Sequence, residues 1–125
     1  MFSNAWRLGV TALLSSACAS SGIPHALHGY AIVVEERDAQ SVELARALRE
    51  RGFKVRPRVR GGSGPTAALI YFTYSDPGPG QATWLQIRLA DTRTGVILSE
   101  ASIQLDSATS TTRAKAVAAV RALAP

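Results

Sequence analysis

The chain is poor in the residue types that most often carry chemistry. Its 125 residues include one cysteine and two histidines. A single cysteine cannot form an internal disulfide bond. The histidines, His25 and His28, are flanked by Pro24 and Gly29, so a helix that would present both rings to one metal ion is not expected. We therefore predict no metal site and no cofactor.

Patterns typical of catalytic sites are missing as well. Ser63 lies in a Gly-Gly-Ser-Gly run, which is neither the nucleophile elbow of hydrolases nor a phosphate-binding loop ending in Lys-Ser/Thr. Asp76, Asp91 and Asp106 stand at expected turns or helix starts, where capping and turn formation account for a carboxylate. The sequence therefore predicts a protein that is not an enzyme.

Lysine is scarce, and the positive charge is carried by arginine. Lys54 and Lys115 are the only lysines, although 14 basic residues oppose 9 acidic ones. The alternation over 53–60 predicts a strand with four cations on one face: Lys54, Arg56, Arg58 and Arg60. Like charges on alternate residues, about 7 Å apart, repel each other. An anionic ligand, cell-wall polymer or lipid headgroup would relieve that repulsion.

The basic strand also has a purely structural interpretation. Charged residues and proline are common on edge strands, because they prevent unwanted pairing with other chains. Pro57 has no amide hydrogen and is typical of an edge position. The sequence does not decide between edge protection and anion binding.

Long hydrophobic runs are also missing, since no stretch reaches the ~20 apolar residues that span a bilayer. A shorter apolar run, 8–14, follows Arg7 and precedes the small residues 15–17 and then Cys18. A positive start, a short apolar core and small residues are the layout of an export signal. We predict a signal peptide over 1–17, a flexible tether over 18–29 and a periplasmic domain over 30–125.

The end of this signal, Leu13-Leu14-Ser15-Ser16-Ala17-Cys18, resembles the lipobox of bacterial prolipoproteins. The resemblance implies that the Cys18 thiol receives a diacylglycerol and that the peptide before it is removed. It further implies anchoring of Cys18 in a membrane through acyl chains. Ala19 stands where an Asp would retain such proteins at the inner membrane, which favours the outer membrane, facing the periplasm, with the inner membrane as the alternative. Export argues against a nucleic-acid partner. An ordinary secretory signal with no role for Cys18 is the other interpretation.

Periodicity over the rest of the chain predicts an α/β (α+β) two-layer sandwich. Ser41, Leu44, Ala45 and Leu48 fall at helical spacing, whereas β-branched or alternating runs indicate strands. We expect β-α-β-β-β-β-α, with both helices on one face of a mixed five-stranded sheet in the order 2-1-3-4-5. The predicted strands are 30–36, 53–60, 67–75, 83–90 and 96–105, and the predicted helices are 39–51 and 110–124.

Aromatic residues are few, and most of them cluster on the third and fourth predicted strands: Tyr71, Phe72, Tyr74 and Trp84. Such clusters usually belong to a core, and we expect the same here. Trp84 is the exception, because it alternates with Leu85 and shares its face with Gln86 and Arg88. Within the fifth strand, we expect Ile97 to point inward.

Three segments resemble the small periplasmic α/β modules of outer-membrane lipoproteins of the curli-secretion and penicillin-binding-protein-activator types: 31–34, 51–55 and 87–98. The resemblance implies a non-enzymatic interaction module for a periplasmic or outer-membrane protein, and an open apolar sheet face or edge would favour that function. The alternatives are an anion binder acting through 54–60 and an immunity-type lipoprotein that blocks a toxin.

Overall fold

The computed structural model of the protein is a five-stranded mixed sheet with two helices packed on one face. It describes residues 23–59 and 64–124. The elements are β1 (Ala31–Val33), α1 (Ala39–Glu50), β2 (Val55–Arg56), β3 (Thr66–Ser75), β4 (Thr83–Asp91), β5 (Ile97–Leu105) and α2 (Thr112–Leu123). Short 3₁₀ turns precede β1 and α2, at His25–Leu27 and Ser107–Thr109. The element order and the strand order β2-β1-β3-β4-β5 confirm the predicted fold.

The two halves of the sheet are built differently. β1 pairs in parallel with β2 on one side and with β3 on the other. β3, β4 and β5 form an antiparallel meander with long, regular pairing. The meander therefore supplies most of the sheet surface, while β1 and β2 contribute three and two residues.

The first helix begins and ends where its sequence indicates. The Asp38 carboxylate accepts a hydrogen bond from the Ser41 amide (2.8 Å), and the Ser41 hydroxyl accepts one from the Asp38 amide (3.0 Å). This reciprocal cap satisfies amides that the first turn leaves without helical partners. Gly52 ends the helix with φ +99°, a conformation that glycine adopts without the penalty paid by other residues.

The core lies between the helices and one face of the sheet. Leu85, Ile87 and Leu89 of β4 are fully buried there, which confirms their predicted inward orientation. They pack in one cluster with Leu48 of α1 and Leu123 of α2. Each such side chain contributes about 1.5–3 kcal/mol when it is removed from water, so this layer of leucine and isoleucine holds both helices on the sheet.

A β-bulge changes the expected orientation at the start of β5. Leu89 pairs with Ser99, whereas Ala90 pairs with Ile97, so Leu98 is an extra residue on β5. An extra residue reverses the side-chain alternation beyond it. Ile97 is therefore 43% exposed instead of pointing inward as predicted, and Leu98 packs against the core in its place.

The second strand is much shorter than the predicted 53–60. Its pairing with β1 covers only Val55 and Arg56. Phe53 is buried before the strand begins, whereas Val59 is 54% exposed after it. Pro57 cannot donate a ladder hydrogen bond, and the chain must turn back there to enter β3 parallel to β1. The missing amide hydrogen of Pro57 and the return of the chain toward β3 both end the strand early.

The described part of the predicted tether, residues 23–29, is folded onto the domain. Leu27 is 1% exposed and belongs to the core, and Ile23 packs against that core. The Leu27 amide donates to the Pro24 carbonyl oxygen (2.8 Å), which closes the 3₁₀ turn. The prediction of a flexible tether is thus corrected for 23–29, because burial of Leu27 orders a segment that lacks periodicity. The predicted signal peptide, 1–17, and Cys18 lie outside the described residues.

Candidate functional site

The face of the meander opposite the helices carries large apolar side chains. Ile70, Phe72 and Tyr74 alternate along β3 with residues that point toward the helices, and they are 45%, 41% and 40% exposed. Trp84 of β4 lies beside Tyr74 and is half-buried. No helix covers this face within residues 23–59 and 64–124. The expectation that the aromatic cluster belongs to the core is therefore wrong for Phe72 and Tyr74, whereas Tyr71 packs against the core. Trp84, the expected exception, lies on the face opposite Leu85.

The strand register arranges this surface, which we call the open face, in three rows across β3, β4 and β5. The rows are defined by residues that stand directly opposite each other, so their side chains are neighbours. The rows are Ile70–Arg88–Glu100, Phe72–Gln86–Ser102 and Tyr74–Trp84–Gln104.

Arg88 lies on the middle strand of the open face, in its first row, and is held there by two neighbours. Its guanidinium carbon lies 5.5 Å from the centre of the Phe72 ring, a cation–π distance. Its Nε atom lies 3.2 Å from a carboxylate oxygen of Glu100, the residue directly opposite. The positive charge of Arg88 is thus balanced by Glu100, and the aliphatic part of Arg88 adds to the apolar surface.

Two further polar groups of the open face are oriented by hydrogen bonds. The Ser102 hydroxyl donates to the side-chain oxygen of Gln86. The Trp84 indole N–H donates to the Asp76 carboxylate at 3.2 Å. These bonds satisfy the Ser102 hydroxyl and the Trp84 indole N–H, so a partner could cover this part of the face without leaving those two donors unpaired. Arg88 Nε is buried beside the Phe72 ring and has, among the described residues, an ion pair but no hydrogen bond.

This arrangement has the composition of a protein interface. Tyrosine, tryptophan and arginine are the residues most enriched among those that dominate binding energy. The rows carry no histidine or cysteine, and their two charges neutralise each other. What the geometry can do chemically is exchange water for an apolar partner surface with hydrogen-bonding groups at its rim.

One feature of the sequence indicates that an apolar face is open, and assigning the aromatic residues to the core overlooks it. Along β3, both alternating sets are apolar: Leu69 and Tyr71 on one side, and Ile70, Phe72 and Tyr74 on the other. Two helices on one face of a sheet can cover only one of these sets. The other set must therefore be exposed.

The three described members of the predicted basic ladder, Lys54, Arg56 and Arg58, do not line one surface. Lys54 and Arg56 line a cleft of about 240 Å³ beside Tyr30 and Pro65. Arg58 lines a different cleft of about 540 Å³. Arg60 lies outside the described residues. The predicted continuous basic strand face is corrected for the described residues, because the strand ends at Arg56 and the chain bends at Pro57 and Arg58.

The larger cleft lies at the carboxyl end of β1, beside the first turn of α1. The Tyr71 hydroxyl donates to the Asp38 carboxylate there (2.9 Å). The Ser41 amide, together with this hydroxyl, lowers the pKa of Asp38, while burial and then Asp38 raise the pKa of Tyr71. Arg37 is paired with Glu35. Most polar groups of the cleft are therefore already engaged within the protein.

The histidines are close together but engaged elsewhere. The rings of His25 and His28 are 5.2 Å apart, and His28 Nε2 is 2.9 Å from the Ile23 carbonyl oxygen. Across the two described ranges, no group of three His, Cys, Asp or Glu residues is placed to hold a metal ion. The helices in those ranges are all too short or too polar to cross a bilayer.

Comparison of the chain with protein-family models, with curated proteins and with solved structures finds no match. The function is accordingly argued from the residues and their arrangement.

Proposed function

We propose that the protein is a lipid-anchored cell-envelope protein, attached through Cys18 to the outer membrane and facing the periplasm, whose domain is a non-enzymatic interaction module. The open face is its docking surface for an envelope protein. The observation that carries this proposal is the side-by-side exposure of Ile70, Phe72 and Tyr74 on a sheet face without a helix.

The exposed apolar side chains indicate an interaction site because they adjoin each other. Single apolar residues on a protein surface are normal, but an adjoining patch of them marks an interaction site. Ile70, Phe72 and Tyr74 follow each other along one strand face, and Trp84 extends the patch onto β4. Covering such a patch contributes about 25 cal/mol for each Å² of apolar surface removed from water. An apolar partner surface supplies that gain.

The charge pattern favours a protein partner over an anionic polymer on this face. Arg88 is the only cation in the three rows, and Glu100 lies 3.2 Å from it. A polyanion would have to displace or approach that carboxylate. A partner protein with an apolar centre would instead leave the ion pair at the rim of the interface, where charges commonly lie.

The docking surface is tested by photo-crosslinking in cells. A photoreactive amino acid replaces Ile70 in the full chain, an exposed open-face position on β3 away from the β5 edge. The matched control carries it at Arg46, an exposed position on α1. We expect a discrete adduct with another protein from position 70 and none from position 46. In the Ile70 background, Phe72→Ser with Tyr74→Ser should reduce the adduct by about tenfold while the urea midpoint stays close to that of the parent.

Equal adducts from both positions, or an adduct that the double substitution leaves unchanged, would exclude the open face as the docking surface. The adduct also separates the alternatives. A toxin in the adduct would identify an immunity-type lipoprotein. If no adduct forms, and Arg56→Glu with Arg58→Glu abolishes binding to anionic vesicles or peptidoglycan, binding is assigned to the basic segment instead.

The anchor is tested separately at Cys18. Cys18→Ala should abolish palmitate labelling and move the protein from the membrane fraction to the periplasmic fraction, because acyl chains contribute about 0.8 kcal/mol per buried methylene. Ser16→Ala, next to the predicted cleavage site, serves as the control that should keep both properties. An unlabelled parent chain that fractionates like Cys18→Ala would favour an ordinary secretory signal.

A further inference from the structure

The outer edge of β5 is long and poorly protected. β5 pairs with β4 along Ile97–Leu105, and no other strand within residues 23–59 and 64–124 pairs with its second side. A free edge presents unpaired backbone donors and acceptors, which proteins usually guard with lysine or proline. From Ser99 to Leu105, β5 has no proline and only one charged residue, Glu100. The opposite edge, β2, has two residues and is followed by Pro57.

We propose that two copies of the chain pair through this edge. The two β5 strands run antiparallel about a two-fold axis at Ser102, which joins the sheets into one of ten strands. This inference goes beyond the proposed function and does not depend on what binds the open face.

The charge pattern of β5 selects the position of the axis. Opposed residues in an antiparallel pair lie on the same face, and like charges directly opposite are destabilising. An axis at Glu100 would oppose two Glu100 carboxylates, and an axis at Ile103 would oppose Glu100 to Asp106 of the second copy. An axis at Ala101 would oppose Glu100 to Ser102, whose hydroxyl proton is already donated to Gln86.

The axis at Ser102 satisfies Glu100 instead. It places Glu100 opposite Gln104 of the second copy, and it does so twice because of the symmetry. The exposed Gln104 side chain carries amide donors that a carboxylate accepts. On the helix side, the same register places Ala101 opposite Ile103, both of which are only partly buried within one copy.

The second helix leaves room for this pairing. α2 packs beside β5, and the Ser99 hydroxyl donates to the Leu123 carbonyl oxygen near the helix end (3.1 Å). Arg113 lies on the side of α2 that faces α1, because it pairs with Glu50 at the end of α1. By helical geometry, the opposite side carries Lys115, Ala118 and Ala122. Small alanine side chains allow the two α2 helices to reach the 8–10 Å separation of packed helices.

Dimerisation through β5 would enlarge the open face. A two-fold axis perpendicular to the sheet places both open faces on the same side. The dimer would therefore present one continuous surface of three rows with six residues each, twice the area of a single copy.

Cysteine crosslinking tests the register. The native thiol is removed with Cys18→Ser in the full chain, and Ser102→Cys is added. Opposed residues in an antiparallel pair have Cα atoms about 4.5–5.5 Å apart, within reach of a disulfide. We expect Ser102→Cys to form a covalent dimer under mild oxidation. Gln104→Cys is the matched control, because its two copies would lie about 13 Å apart along the strands and should not link.

A charge exchange tests the pairing without a crosslink. Gln104→Glu would oppose two pairs of carboxylates and should weaken the dimer by about tenfold in light scattering. Adding Glu100→Gln to that chain exchanges the two partners and should restore dimerisation. The proposal would be overturned if disulfides formed equally at positions 102 and 104, or if the parent had a monomeric mass at all concentrations. It would also be overturned if the exchange of Glu100 and Gln104 did not restore dimerisation. A Ser102→Cys adduct with another protein in place of the dimer would overturn it too.

Discussion

Tyr30 donates a hydrogen bond from its phenol to the Asp91 carboxylate, 2.6 Å away and 61 positions further along the chain. The Asp91 carboxylate also accepts from the amides of Arg93 (2.7 Å) and Thr94 (3.1 Å), which shapes the loop between β4 and β5. The bond therefore joins the segment before β1 to the hairpin that precedes the β5 bulge. It lowers the pKa of Asp91 and raises the pKa of Tyr30.

Tyr30→Phe should reduce the dependence of stability on pH at both ends. Because the folded-state pKa of Asp91 is lowered, its stabilisation is complete above the unfolded value of about 3.9 and is lost as the pH falls through the folded value. Because the folded-state pKa of Tyr30 is raised, its stabilisation is complete below about 10 and is lost as the pH rises through the folded value. Tyr30→Phe should flatten both limbs in urea titrations. Tyr74→Phe is the control, and limbs unchanged by Tyr30→Phe would contradict the bond.

Leu27→Ala should destabilise the domain strongly, although it lies in a segment predicted as a tether. The Leu27 side chain is fully buried in the core, and its truncation leaves a cavity that typically costs about 2–5 kcal/mol. The free energy of unfolding in urea measures this. His25→Ala, an exposed neighbour in the same 3₁₀ turn, should change it by less than about 0.5 kcal/mol. Similar small effects for both would mean that the turn is not docked on the core.

Gly52→Ala should destabilise through the backbone alone. Gly52 has φ +99°, and a Cβ atom there would meet no heavy atom within 4 Å. The cost is therefore the conformational penalty of positive φ, about 1–2 kcal/mol. Gly52→Asn should cost less, because asparagine enters this region more readily. Equal urea midpoints for the two variants and the parent would show that the helix end tolerates another conformation.

The Arg88–Glu100 pair should contribute weakly and in a salt-dependent manner. Both side chains are partly exposed, and cross-strand pairs of opposite charge contribute about 0.2–1 kcal/mol. A double-mutant cycle with Arg88→Gln and Glu100→Gln should return a coupling free energy in that range, decreasing as salt is added. A coupling free energy of zero at low salt would show that the two charges do not interact in solution.

Local patterns predicted much of the fold. Helical spacing and the Asp38 cap located α1 to within one residue at its end, and the alternation around Leu85, Ile87 and Leu89 oriented β4 correctly. These features depend on neighbours in sequence, where period and capping chemistry act directly. The strand order also followed, because a short parallel crossover and an antiparallel meander leave few arrangements.

The structural features that the sequence predicted wrongly share one physical origin. The docking of Leu27, the exposure of Ile97 beyond a bulge and the early end of β2 at Arg56 each depend on contacts between distant parts of the chain. The basic residues illustrate the same point, since a change of chain direction divides them between two clefts. The spacing of apolar residues along the sequence depends only on near neighbours, so it cannot predict such contacts.

For this protein, the sequence by itself determined the succession of helices and strands and the order of the strands in the sheet, and it is the sole basis for predicting an exported, lipid-modified chain. The tertiary structure decided which of two apolar sets along β3 is covered. Two helices of twelve residues each can bury only one face of the sheet, so Leu69 and Tyr71 pack against the core while Ile70, Phe72 and Tyr74 are left at the surface. The side chains are equally apolar in the sequence, and only packing separates core from candidate interface.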